Sequence, residues 1–175
     1  MKILVIDAQG GGIGKQVITA IKREMPQTEI IAVGTNSTAT TAMLKAGADH
    51  VATGENAVVV GCRTADVIIG PIGIVIADAM FGEVTPTMAV AVGQSMAKRL
   101  LIPVNHCNNI IVGISDLSVG RLVDAVLKEI EEKNSRRYLF FQPLCDKIKM
   151  FLQEAEQRCR SIAREQNQSN SLKKK

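Results

Sequence analysis

Four glycines fall within five residues, Gly10-Gly11-Gly12-Ile13-Gly14, three residues beyond the apolar run Lys2 to Ile6 and just before Lys15. The run before them is short and rich in β-branched residues, as a buried strand is. Ile13, Val17, Ile18, Ala20, Ile21 and Met25 then recur at helical spacing. A strand must therefore turn into a helix within a few residues. Such a turn needs positive φ and a close approach to the backbone, and glycine permits both. The unpaired N–H groups of the helix start face the turn, and the helix dipole favours an anion there.

Further along, Glu29 to Val33 reads as a second strand ending in Gly34-Thr35-Asn36. Helical periodicity follows from Thr38 to Ala46, with Gly47 as its C-terminal cap, and His50-Val51 starts a short third strand. Ala57 to Cys62 has the valines of a strand but lies between two strands. A helix is expected there, because the strand Ala65 to Ile69 otherwise lacks a crossover. Gly70-Pro71-Ile72-Gly73 then leads into an expected helix from Ile74 to Met80, and Thr85-Pro86 starts another with Thr as N-cap. Lys98 to Val104 is a strand, Asn105 to Asn109 a turn into an expected antiparallel edge at Ile110 to Ile114, and Ser118 to Glu132 a helix. The expected fold class is α/β, a doubly wound, mostly parallel, Rossmann-like sheet with right-handed crossovers and an appended C-terminal amphipathic helix.

The chain divides by composition into a nucleotide-binding domain over 1–134, an amphipathic segment over 135–165 and a polar, disordered tail over 166–175. Leu144, Ile148, Phe151, Leu152, Ala155, Cys159 and Ile162 form one helical stripe that something must cover, and a homodimer is the expected cover. Up to Leu127 there are 9 Lys and Arg against 10 Asp and Glu, and beyond it 12 against 7, so the basic excess belongs to the tail. Nucleic acid is thus an unlikely partner for the domain. No apolar run reaches the roughly 20 residues of a membrane span. Cys62, Cys107, Cys145 and Cys159 have neither disulfide-framework nor zinc spacing, so a reduced cytoplasmic setting without a metal is expected.

The glycine run fits none of the common fingerprints completely. Against G-x-G-x-x-G, Lys15 takes the third glycine; against the short-chain dehydrogenase pattern, Ala8 replaces the first. Against the variant P-loop of ParA-like ATPases, Gln16 stands where a magnesium-binding hydroxyl belongs and Gln9 replaces the outer glycine. Rossmann-like binding is therefore favoured over P-loop hydrolysis. The expected lining is Gln9, Gly10, Gly11, Gly12, Ile13, Gly14 and Lys15, with Lys15 countering a phosphate. Gly34, Thr35 and Asn36 stand where an acid usually holds a ribose, and Gly70, Pro71, Ile72 and Gly73 flank the crevice. Asp7, Glu55, Asn56, Glu83 and Asn105 fall on the rim. Asp7 has three open roles: pairing with Lys15, accepting loop N–H groups, or holding a metal. His106-Cys107 are neighbours rather than a nucleophile and its base, so no catalytic residue is assigned.

Together, Asp7-x-Gln9-Gly10-Gly11-Gly12-Ile13-Gly14-Lys15, Gly34-Thr35-Asn36, Ala52-Thr53-Gly54-Glu55-Asn56 and Gly70-Pro71-Ile72-Gly73 resemble an uncharacterised family of short bacterial proteins, a domain of unknown function. The resemblance covers roughly residues 1–132 and implies a cytoplasmic, Rossmann-like bacterial protein without an assigned activity. The functional expectation is a binder of a nucleotide or dinucleotide, with NAD(P) as first candidate. The alternative is a non-enzymatic regulatory or assembly protein with a P-loop-like, non-hydrolysing nucleotide site.

Overall fold

The computed structural model describes residues 1–104, 111 and 118–135. In chain order the elements are β1 (Lys2–Asp7), α1 (Gly12–Glu24), β2 (Glu29–Gly34), α2 (Ser37–Lys45), β3 (His50–Thr53), α3 (Glu55–Thr64), β4 (Val67–Pro71), a 3-10 turn (Ile72–Val75), α4 (Pro86–Gln94) and β5 (Lys98–Ile102). A further helix, α5, covers residues 119–135. Contacts divide the chain into two compact units, Met1–Glu129 and Ile130–Lys175. The sheet belongs to the first.

All five strands are parallel, in the order β3-β2-β1-β4-β5. Parallel neighbours need crossovers, and the helices supply them. β1 lies at the centre, with Ile3, Leu4, Val5 and Ile6 all at 2% exposure or less, because helices cover both faces of the sheet. Alternation divides its side chains. Leu4 and Ile6 join Ile68 of β4, Val58 and Cys62 of α3 and Met88 and Val92 of α4 in one buried cluster, while Ile3 and Val5 point to the opposite face. Burying each such aliphatic side chain contributes about 1.5–3 kcal/mol. Gly61 of α3 lets that helix close on β1, since a Cβ there would come within 3.0 Å of Leu4 Cδ2.

The ambiguous valine run is a helix, as the crossover argument requires. The segment after β4 is a correction to the expected helix Ile74 to Met80. It makes one 3-10 turn and then runs irregularly to Thr85, with Asp78, Met80, Phe81 and Gly82 at positive φ. Its apolar residues are not spaced for one helical face, and a cross-link from Asp78 N–H to the Val84 carbonyl at 2.8 Å folds it back on itself. Each of the three non-glycine residues held there costs on the order of 1 kcal/mol. α4 starts as its sequence requires, with Thr85 Oγ1 accepting Met88 N–H and Pro86 in the first turn.

No helix among the described residues is long and apolar enough to cross a membrane. The expected edge at Ile110 to Ile114, Asn105, and the amphipathic segment with its tail lie outside the described residues, apart from residues 111 and 135.

Candidate functional site

The strand order turns back on itself between β1 and β4, so their C-terminal ends part and leave a crevice, the usual ligand position in open α/β sheets. Its volume is about 260 Å³. Asp7, Gln9, Gly10, Gly11, Gly12 and Ile13 line one side, and Pro71, Ile72 and Gly73 line the other, with Gln16, Ala79, Met80 and Val104 completing it. Sequence reasoning thus brings most of the two glycine-bearing loops together. It missed Met80 and Ala79, which arrive through the irregular crossover, and it treated Gln16 only as a missing hydroxyl. The signal for Gln16 was present: it lies one helical turn from Gly12 and on the same face. Its Nε2 donates to the Gly12 carbonyl at 3.3 Å.

The glycines of the loop serve different ends. Gly11 sits at φ 67°, and a Cβ there would come within 2.7 Å of Ala39 backbone. Gly14 lies beneath the loop, where a Cβ would meet Met43 Sδ at 2.6 Å. These two allow α1 and α2 to pack together. At Gly10 and Gly12, by contrast, nothing stands within 4 Å of an added Cβ and φ is not positive. Their N–H groups have no partner among the described residues.

Asp7 takes the second of the roles left open for it. Its Oδ1 accepts Ala8 N–H at 2.8 Å and its Oδ2 accepts Gly14 N–H at 2.7 Å, so a carboxylate caps α1 from inside the loop. Among the described residues it forms no ion pair with Lys15. Burial pushes its pKa up, the N–H groups of Gly14, Ala8 and Ile13 pull it down, and the Glu83 charge adds to the upward push; the net direction is up. The folded protein therefore holds this proton more tightly than the unfolded chain. The corresponding stability is fully present below the unfolded value near pH 4 and is lost as pH rises through the folded pKa. In urea titrations from about pH 4 upward, the wild type should lose stability relative to Asp7→Asn. Parallel profiles for the two proteins would contradict this electrostatic picture of the loop.

Lys15 lies elsewhere. It is exposed and borders a hollow between α1 and α2 with Ser37, Thr38, Thr41 and Lys45, not the glycine crevice. The expected cation beside a phosphate is therefore not supplied by this residue. Gly34 ends β2, and Thr35 and Asn36 follow it, but their donors are engaged. Thr35 Oγ1 and Asn36 Nδ2 reach Glu83 Oε2 at 2.5 and 2.7 Å, and Gln9 N–H reaches the same oxygen at 2.9 Å. Asn36 also caps α2, its Oδ1 accepting Ala39 N–H at 2.8 Å. Burial pushes the Glu83 carboxyl up, but the hydrogen bonds from Thr35, Gln9 and Asn36 outweigh it and hold the group below its usual range. Glu55 accepts the Thr85 hydroxyl at 2.5 Å, which ties the far end of the same crossover to the start of α3. Asn56 is exposed on α3, and Gly70 is buried within β4.

A larger groove of about 800 Å³ runs between α3 and α4, past Val59, Cys62, Val90 and Met96. Size does not make it the chemical site. Ser95 Oγ there is already bound to the Cys62 carbonyl and to Ala97 N–H, and burial pushes the Cys62 thiol up to about 11, far from a reactive thiolate. Among the described residues no group of three or more potential metal ligands occurs.

The fold and crevice define a Rossmann-like α/β domain with a glycine loop at its switch point. The chain belongs to the family described as domain of unknown function DUF3842, whose model matches residues 2–135. No curated protein matches it. Among solved structures it is similar to a dodecameric FMN-dependent UbiX-like decarboxylase from Escherichia coli O157:H7, at 22% identity over 75% of this chain and 76% of that one, with a TM-score of 0.39.

Proposed function

We propose that the crevice binds a phosphate-bearing nucleotide, with the phosphate received by the Gly10 and Gly12 N–H groups at the start of α1. One observation carries this reading: these two glycines meet neither a packing neighbour nor a backbone constraint, yet they line the open crevice with N–H groups that have no partner among the described residues. Space without a Cβ is what a ligand needs to reach the backbone, and a helix start favours its charge. Drug-sized ligand sites usually span about 300–1,000 Å³. At about 260 Å³ the crevice suits a mononucleotide, or one half of a dinucleotide such as NAD(P), better than a whole dinucleotide. With Asp7 beneath the loop and Lys15 turned away, backbone donors alone hold the phosphate, so binding should depend little on salt. Calorimetry with AMP, ADP, FMN, NAD and NADP tests the proposal. At least one should bind, and no binding by any of them at about 1 mM, equivalent to roughly 4 kcal/mol, would sink it.

A homodimer covering the Leu144 to Ile162 stripe belongs to the same proposal and rests on the helical spacing of that stripe. Truncation after Asn134 should convert dimer to monomer in light scattering. A full chain that is already monomeric would remove this part and leave the nucleotide site untouched.

A further inference from the structure

We propose that Glu83 selects the ribose, so that the crevice takes a ribonucleotide with a free 2′-hydroxyl; this rests on the nucleotide reading above. In dinucleotide-binding halves of this topology, an acid about 20 residues past the glycine loop accepts the ribose hydroxyls. Here β2 ends at Gly34, and Thr35-Asn36 follow it, with no acid at this end of the strand. The carboxylate arrives instead from the crossover after β4. Glu83 Oε2 is held by three donors from two strand ends: Gln9 N–H at 2.9 Å, Thr35 Oγ1 at 2.5 Å and Asn36 Nδ2 at 2.7 Å.

Three donors on one oxygen fix the orientation of the other. Oε1 has no partner among the described residues, and it sits on a residue bonded to the backbone immediately before Gly10. A fixed acceptor beside a phosphate-binding turn fits a group that donates, and on a nucleotide that group is the ribose diol. A second phosphate fits poorly, because it donates nothing when ionised and adds charge near both Glu83 and Asp7. Delivery of Glu83 uses strained backbone: Asp78, Met80 and Phe81 lie at φ of 59°, 57° and 60°, and Gln9, which meets the carboxylate, lies at 51°. Such conformations persist only where the surrounding structure over-determines them, and they cluster at functional sites.

The test is calorimetric titration of the full chain with the four common 5′-ribonucleotides, their 2′-deoxy counterparts and adenosine 2′,5′-bisphosphate. The wild type should bind ribonucleotide at least about 10-fold more tightly than the deoxy form, the scale of one hydrogen bond to a charged acceptor, and should bind the bisphosphate more weakly still. Glu83→Gln should bring ribo and deoxy forms to within about two-fold, chiefly by weakening the ribonucleotide. Glu83→Asp, which keeps the charge but shortens its reach, should fall between, and circular dichroism checks that both variants are folded. Equal binding of ribo and deoxy forms by the wild type overturns the role of Glu83 and leaves the nucleotide reading standing. A ribose preference that survives in folded Glu83→Gln, or in Glu83→Asp at full strength, overturns it too. If no nucleotide binds, the nucleotide reading itself falls and takes this proposal with it.

Discussion

Gly12→Val is expected to weaken nucleotide binding by at least about 100-fold, or roughly 2.7 kcal/mol, and to leave the fold intact. The two halves of that expectation come from the same geometry. Nothing lies within 4 Å of a Cβ at this position, and φ is not positive, so the protein itself accommodates the side chain. In a helix, glycine is also a poorer residue than valine by a few tenths of a kcal/mol, so the melting temperature should hold or rise by about 1–2 °C. The added methyl groups would instead occupy the space through which a phosphate reaches the Gly10 and Gly12 N–H groups. Lys15→Ala is the control in the same titrations, and affinity within about two-fold of wild type is expected because Lys15 borders the hollow between α1 and α2. A large loss on Lys15→Ala, with none on Gly12→Val, would place the anion in that hollow.

Gly70→Ala should have the opposite signature, a large loss of stability wherever it is measured. Gly70 lies in β4 beside the central strand, and a Cβ there would collide with the Ile6 carbonyl oxygen and come within 2.9 Å of Ile74 Cδ1. A side chain can yield, but a backbone carbonyl in the middle of a sheet cannot without shifting the β1–β4 register. Overpacking of this kind typically costs about 1–3 kcal/mol and occasionally more, and the backbone obstacle puts Gly70→Ala at about 3 kcal/mol or above. That is a large share of the roughly 5–15 kcal/mol by which domains are stable. Urea unfolding checks it, and a midpoint unchanged from wild type would show that β4 approaches β1 less closely than described.

The parts of this fold that depend on local pattern were legible in the residues. β1, the glycine turn, α1, β2, α2 and the Thr85-Pro86 start of α4 each carry their own periodicity or cap. α3 was legible only through topology, since its valines favour a strand and only the need for a crossover favours a helix. The stretch after Gly73 was misread because apolar residues in a short run look alike whether they line a helix or plug an irregular turn. Three residues at positive φ leave no mark in the sequence when none of them is glycine. Lys15 was misplaced for a related reason: its position in the first turn of α1 was readable, but the side of the helix that faces the crevice depends on how α1 sits on the sheet. That orientation favours Gln16. Glu83 was placed on the rim, but its engagement by Gln9, Thr35 and Asn36 links residues 47 to 74 positions apart, and no local signal encodes it.

The most direct measurement of nucleotide binding at this loop is an amide-resolved titration of the isotope-labelled chain with AMP and FMN, followed by heteronuclear NMR. The Gly10 and Gly12 amide signals should move together and saturably, ahead of those at Ser37 and Thr38 beside the Lys15 hollow. Saturable shifts confined to the α1–α2 hollow, or no shifts at Gly10 and Gly12 with any nucleotide, would contradict binding at the glycine loop.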